Sequence, residues 1–149
     1  MYGTLKLLHS VNRYVVLVLL IVLIVNSLMG LLHKSEFKSG DNKISLFTLI
    51  FTHIQFLLGL ILYFVSPFVV FGERDRMQSY WTFEHSSMML IAVVLITVGR
   101  STMKKLPDGP AKHKRLFIMN VIALIIILGV IAMSKRGFFS LPISSIFIL

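Results

Sequence analysis

The stretch YVVLVLLIVLIV, residues 14–25, contains no charged or strongly polar side chain and decides the fold class of the chain. A helix needs about 20 mostly apolar residues to cross a bilayer, and the apolar sequence continues on both sides of this stretch. The pattern therefore predicts a first membrane-spanning helix over about 5–32. Three further apolar segments predict helices at about 44–71, 82–101 and 110–134.

The four predicted spans indicate an all-α, integral membrane four-helix bundle in a single transmembrane domain covering residues 1–149. The remaining segment, 135–149, is apolar but too short to cross a bilayer, and Pro142 interrupts it. We expect this tail to lie at the membrane interface or against a partner.

Composition limits the classes of function. The chain has 149 residues, of which 56% are hydrophobic, and this fraction is too high for an ordinary soluble domain. It contains no cysteine, which excludes disulfides, thiolate ligation of haem and iron–sulfur clusters on this chain. The net charge of +9 comes from basic residues at helix ends and in short loops. This distribution favours a topology signal over a nucleic-acid interface.

The basic residues also predict an orientation. Nine of the 15 lysines and arginines fall in or beside the loops at 33–43 and 100–115, and six fall on the opposite side of the bundle. By the positive-inside rule, both termini are expected on the periplasmic side of a bacterial inner membrane.

Each predicted helix carries one histidine near one end: His9, His53, His85 and His113. A histidine in a membrane helix is costly and is a candidate for a functional role. Because the helices alternate in direction, His9 and His85 are expected near one face, and His53 and His113 near the other. Helices one and three, and helices two and four, can face each other diagonally across a bundle core, where cofactors are commonly held. Two imidazoles on opposite sides of a planar ring are what a six-coordinate haem requires.

Other residues support one or two haem b sites with these four histidines as iron ligands. Gly30 and Gly99 lie near the inner face on helices that would not supply ligands, where a flat ring needs close approach to the backbone. Arg13 follows His9 by one helical turn and is placed to pair with a haem propionate. The weak point of the inner site is depth, since His53 lies well inside its helix whereas His113 lies at a helix start.

A resemblance to known proteins agrees with these expectations. It is carried by Leu8-His9-Ser10, by THIQFLLGLILYF at 52–64, by Phe83-Glu84-His85 and by AKHK at 111–114. Over nearly the whole chain these stretches resemble the small bacterial four-helix membrane proteins catalogued as cytochrome B, which implies haem b. The layout of one histidine per helix also resembles the four-helix core of the two-haem transmembrane cytochrome b reductases, which move electrons across the bilayer. The chain lacks their flanking helices and any ascorbate-site pattern, so their substrate is not carried over.

Two functions from different classes follow. The first is an electron-transfer membrane cytochrome, a component of a membrane oxidoreductase that exchanges electrons with a quinol pool or a partner redox protein. Glu84 is a candidate for handling a proton in quinol chemistry, or a structural partner of Arg13 or His85. The second is a non-catalytic structural subunit of a larger membrane complex, in which the histidines only pack or meet solvent. A zinc site is disfavoured because each face offers two histidines, whereas zinc usually has three or four protein ligands.

Overall fold

The structure, a computed structural model, describes residues 1–73, 75–107 and 109–134. It contains four long helices: α1 (Tyr2–Leu32), α2 (Ser39–Val65), α3 (Arg76–Met103) and α4 (Pro110–Met133). All four are long and apolar enough to cross a membrane, and no strand occurs in the described ranges. The prediction of an all-α, four-helix membrane bundle is confirmed. The predicted interfacial tail, 135–149, lies outside the described residues.

Helix α2 begins and ends earlier than the predicted 44–71. Ser39 to Asn42, whose composition suggests a turn, instead form the first helical turn. The Asp41 carboxylate accepts a hydrogen bond of 2.7 Å from the backbone N–H of Lys38, and this contact satisfies one of the unpaired donors at the helix start. Pro67 disfavours helical backbone at the preceding residue, and Ser66 is accordingly extended, with ψ of 132°.

Helix α3 begins at Arg76 rather than near residue 82 because Asp75 and Gln78 cap each other. The Asp75 carboxylate accepts from the backbone N–H of Gln78 at 2.7 Å, and the Gln78 side chain accepts from the backbone N–H of Asp75 at 3.1 Å. After one α-helical turn, the segment Tyr80–His85 adopts π-helical geometry before the α-helix resumes. A π segment inside a helix is rare and changes which side chains face the bundle.

The helices alternate in direction and pack as a closed ring in the order α1, α2, α3, α4, with α4 returning to α1. The pairs α1–α3 and α2–α4 are therefore the diagonals, as predicted. We call the end that holds Met1 and the α2–α3 connection the N-terminal end. The opposite end, with the α1–α2 and α3–α4 connections, is called the basic end.

The bundle core is apolar in its middle and polar on the side of α2. The main buried apolar cluster consists of Leu20, Ala92, Ile96, Ala123, Ile127 and Ile131, from α1, α3 and α4. The buried residues of α2 are Ser45, Thr48 and Thr52. Their spacing of three and four residues puts them on one face, so α2 packs through small polar side chains that allow close approach.

Candidate functional site

His9 and His85 meet across the α1–α3 diagonal at the N-terminal end. The centres of their imidazole rings are 6.4 Å apart, and the ring planes are inclined by 63°. His9 lies seven residues after the start of α1, and His85 lies nine residues after the start of α3. Because a helix rises about 1.5 Å per residue, both histidines sit at a similar depth, as the sequence predicts.

The π-helical segment surrounds His85 with aromatic rings. The rings of Trp81 and Tyr80 have their centres 5.0 Å and 6.0 Å from that of His85. The buried Tyr80 hydroxyl donates a hydrogen bond of 2.6 Å to the backbone oxygen of Val130 in α4, which ties the start of α3 to the end of α4. His85 therefore projects from an anchored part of the bundle. Nothing in the sequence pattern indicates the π segment itself.

A polar network from α2 holds the backbone around His9. Asn12 donates to the Gln55 side-chain oxygen at 2.8 Å and to the backbone oxygen of Phe51 at 3.0 Å. Gln55 in turn donates to the backbone oxygen of His9 at 3.0 Å. These bonds fix α1 against α2 beside the imidazole ring of His9.

Gly59 of α2 makes room for the His9 ring. A methyl group at Gly59 would lie 3.2 Å from Cε1 of His9, which is tighter than an ordinary contact. The Nδ1 atom of His9 is buried and makes no hydrogen bond within the described residues. A buried polar atom without a partner is costly in a membrane, so this nitrogen is available to bind a ligand.

Two charged side chains near the histidine pair, those of Arg13 and Glu84, have partners within the protein. Arg13 donates to the hydroxyl of Tyr14 at 3.0 Å and stacks over the Tyr14 ring at 4.8 Å. Glu84 forms an ion pair with Arg76, which is the single ion pair within the described ranges. Arg13 thus lies one turn from His9, while Glu84 is held by a neighbour on its own helix rather than by Arg13 or His85.

At the basic end, His113 is buried, with 2% of its surface exposed, and it packs directly against Gly30 of α1. A methyl group at Gly30 would overlap the imidazole ring of His113. The Phe37 ring lies 5.2 Å from the His113 ring, and Nε2 of His113 is 3.4 Å from the backbone oxygen of Glu36. Gly30 was expected to accommodate a haem ring, whereas in the structure the space beside it is taken by the imidazole ring of His113.

His53 does not lie inside the bundle. Its side chain is exposed on the outer surface of α2, and its Nε2 atom is 3.0 Å from the Thr97 hydroxyl of α3. His53 follows the start of α2 by fourteen residues, or about 21 Å, whereas His113 follows the start of α4 by three. The two side chains have separate surroundings, because His53 lies on the outer surface of α2 beside Thr97 whereas His113 packs against Gly30 and Phe37.

The second glycine predicted at the basic end, Gly99, packs against Met119 of α4, and a methyl group there would lie 2.8 Å from the Met119 Cβ atom. It therefore serves helix packing between α3 and α4. No group of three or more histidine, cysteine, aspartate or glutamate side chains that could hold a metal ion occurs in the described part of the chain.

Sequence reasoning missed a buried cation at the basic end. Arg100 is 5% exposed, and its guanidinium donates to the Asn42 backbone oxygen at 3.2 Å, to the Asn42 side-chain oxygen at 3.1 Å and to the Ser45 hydroxyl. The spacing of Ala92, Ile96 and Arg100 gave a signal, because it puts Arg100 on the inward face of α3.

The site at the N-terminal end thus consists of two diagonal imidazoles at a similar depth, with two aromatic rings beside His85 and a polar network holding the backbone at His9. The chain matches no protein-family model, no curated protein and no solved structure. The resemblance to the cytochrome B proteins therefore stays a prediction.

Proposed function

We propose that the chain is a membrane b-type cytochrome that binds one haem between His9 and His85 at the N-terminal end and transfers electrons. The observation that carries this proposal is the 6.4 Å separation of the two imidazole rings across the bundle diagonal. A bond between a metal ion and a histidine nitrogen is about 2 Å long, so an ion bound by both rings holds the ring centres about 6 Å apart. The separation in the protein matches that requirement.

The surroundings of the two rings fit a haem. The unbonded Nδ1 of His9 and the small Gly59 leave that imidazole ready to bind, and the rings of Tyr80 and Trp81 supply flat apolar surface beside His85. Arg13 is within one turn of His9 and would offer its guanidinium to a propionate. The Gln55 bond to the His9 backbone fixes the position of one ligand.

A haem held by His9 and His85 would supply one-electron transfer. The residues of this chain would exclude water from the haem and hold its two ligands in place. The apolar core below the site excludes water, and hydrogen bonds to α2 and α4 hold the segments that carry the two imidazoles. The partners that fit this role are a quinol pool or a redox protein at the membrane surface.

A second haem between His53 and His113 is not part of the proposal. A haem bound by His53 and His113 would require both side chains at one depth, on the sides of α2 and α4 that face each other. His53 instead lies on the outer surface of α2. We therefore propose a stoichiometry of one haem per chain.

The proposal is tested by the absorption spectrum of the purified chain after reconstitution with haem. We expect a Soret band and a reduced alpha band typical of two histidine ligands, with one haem per chain by pyridine haemochrome assay. A His33→Ala variant is the control, because His33 lies in the α1–α2 connection and its Nδ1 contacts the backbone oxygen of Met29. Absence of a haem spectrum in the folded wild-type chain would contradict the proposal.

One observation favours the alternative, a non-catalytic subunit of a larger membrane complex. His53 lies in the middle of α2 on a surface that faces away from the bundle. A polar ring facing lipid at that depth is costly and would be better covered by another membrane protein. Isolation of the chain as a colourless member of a stable complex would support this alternative.

We also propose a location in a bacterial inner membrane with both termini in the periplasm. The support for this orientation is the larger number of lysines and arginines at the basic end. The proposed haem would then lie near the periplasmic face.

A further inference from the structure

A shallow cavity of about 450 Å³, wide open to the surface, lies at the basic end between the α1–α2 connection and the end of α3. It is lined by Phe37, Lys38, Ser39, Asn42, Met103, Lys104 and Lys112. The cavity lies at the ends of the membrane-spanning helices, since α2 starts at Ser39 and α3 ends at Met103. That level corresponds to the headgroup region of a bilayer.

The cavity is strongly positive. Three of its lining residues are lysines, and neither Lys38 nor Lys104 forms an ion pair within the described ranges 1–73, 75–107 and 109–134. Asp41 lies close by in sequence, but its carboxylate accepts hydrogen bonds from the Lys38 backbone and the Asn26 side chain, so it is engaged in capping α2.

The buried guanidinium of Arg100 lies next to the residues that line the cavity. Arg100 bonds to Asn42, which lines the cavity, and its own hydrogen-bond acceptors are all neutral oxygens. Its Nε atom is buried and has no partner among the described residues. A buried guanidinium without a carboxylate needs compensating negative charge nearby.

From the cavity, its three lysines and the uncompensated Arg100, we infer that the basic end binds the headgroup of an anionic phospholipid. The lysines would contact the phosphate oxygens, and the apolar walls formed by Phe37 and Met103 would contact the glycerol and the first acyl carbons. Basic pockets between membrane helices bind phosphate headgroups in this way. The site is separate from the proposed haem, which lies at the other end of the bundle.

Lipid binding is tested by native mass spectrometry of the detergent-purified chain, with tetraoleoyl cardiolipin as the probe. We expect one cardiolipin to bind the wild type more tightly than dioleoyl phosphatidylcholine binds. In the cavity variant K38Q/K104Q/K112Q, we expect affinity for cardiolipin to fall by at least about tenfold, since each lysine contributes to attraction of the headgroup.

The matched control is K43Q/K105Q/K114Q, which removes the same charge from three exposed lysines at the same end that do not line the cavity. We expect this control to bind cardiolipin like the wild type. Equal loss in both triple variants would overturn the inference, because binding would then depend on surface charge alone. Inorganic phosphate that binds as tightly as cardiolipin would also overturn it, since the lipid would contribute nothing.

Thermal unfolding provides a second measurement with the same probe. Cardiolipin should raise the Tm of the wild type and of the control variant, and should leave the Tm of the cavity variant unchanged. Lys104→Gln alone, at an exposed position, should reduce the increase in Tm even if the triple variant is poorly folded. An unchanged increase in both cavity variants would contradict the inference.

Discussion

The two ends of the bundle start from the same sequence pattern and reach different structures. Each end was expected to bring two histidines together across a diagonal. At the N-terminal end His9 and His85 do meet, with ring centres 6.4 Å apart. At the basic end His113 packs against Gly30 and Phe37, while His53 lies outside the bundle beside Thr97. One histidine per helix therefore does not suffice to form a pair. The two histidines must also lie at the same depth and on helix faces that point toward each other.

The largest expected effect is on the amount of haem bound when a histidine is replaced at one end or the other. If the proposed haem is bound, His9→Ala and His85→Ala should each remove most of it, because each deletes one of the two proposed ligands. His53→Ala and His113→Ala should retain it, since their surroundings are separate from the site. Pyridine haemochrome assays on the four purified variants measure this difference. Loss of haem in His113→Ala with full retention in His9→Ala would reverse the comparison of the two ends.

The next largest effect is on the stability of the protein when a methyl group is added at Gly30 or Gly59. In Gly30→Ala the new methyl group would overlap the buried His113 ring, and we expect the free energy of unfolding to fall by about 1–3 kcal/mol. In Gly59→Ala the His9 ring needs to move by only a few tenths of an ångström, so the loss should be smaller. Unfolding in a denaturing detergent, followed by the fluorescence of Trp81, gives both values.

A double variant checks the cause of the Gly30 effect. Gly30→Ala combined with His113→Ala should be less destabilised than the sum of the two single variants, because the overlap is then absent. Additive losses would show that the imidazole ring is not what Gly30 accommodates.

The fold was predictable because apolar length alone identifies membrane helices. The pairing of His9 with His85 was also predictable, since both fall in the opening turns of helices that run in the same direction. The position of His53 required the register of α2. Ser45, Thr48, Thr52 and Gln55 repeat at intervals of three and four, and this register points Thr52 and Gln55 toward α1 and turns His53 away. Small polar residues at this spacing are a weaker signal than a histidine, so the sequence alone does not predict the outward position of His53.

The basic end was harder to predict for a different reason. Its structure depends on the early start of α2, which comes from the Asp41 cap, and on the buried Arg100. A basic residue near a helix end usually indicates a surface anchor, and the spacing of Arg100 from Ala92 and Ile96 was the one local signal against that interpretation. The distinction comes from the contacts with Asn42 and Ser45, which are more than fifty residues away in sequence.

A smaller effect tests the polar face of α2. Gln55→Leu removes the bonds to Asn12 and to the His9 backbone, and hydrogen bonds of this kind contribute about 0.6 kcal/mol on average in membrane bundles. Thr52→Val is the matched comparison, because the Thr52 hydroxyl is buried without a hydrogen-bond partner in the described residues. We expect Thr52→Val to be neutral or slightly stabilising in the same unfolding assay. A greater loss for Thr52→Val than for Gln55→Leu would contradict the network at the N-terminal end.

The last prediction uses two substitutions that should leave the stability of the protein unchanged. Labelling of these positions shows which end of the bundle faces the periplasm. Single cysteines at Ser39 and Gly72 introduce thiols into a chain that has none, at exposed positions on opposite ends. Neither change should alter stability, since Ser39 is exposed and a methyl group at Gly72 would contact nothing within 4 Å. By the positive-inside rule, the Gly72→Cys thiol should react with a membrane-impermeant maleimide in intact bacterial cells whose outer membrane has been permeabilised, and the Ser39→Cys thiol should react only after the inner membrane is opened. If the Ser39→Cys thiol reacts in such cells and the Gly72→Cys thiol does not, the basic end lies outside and the proposed haem lies near the cytoplasm. The contact between His9 and His85 would be unchanged by that outcome. It depends on the packing of α1 against α3, and not on the side of the membrane at which these helices start.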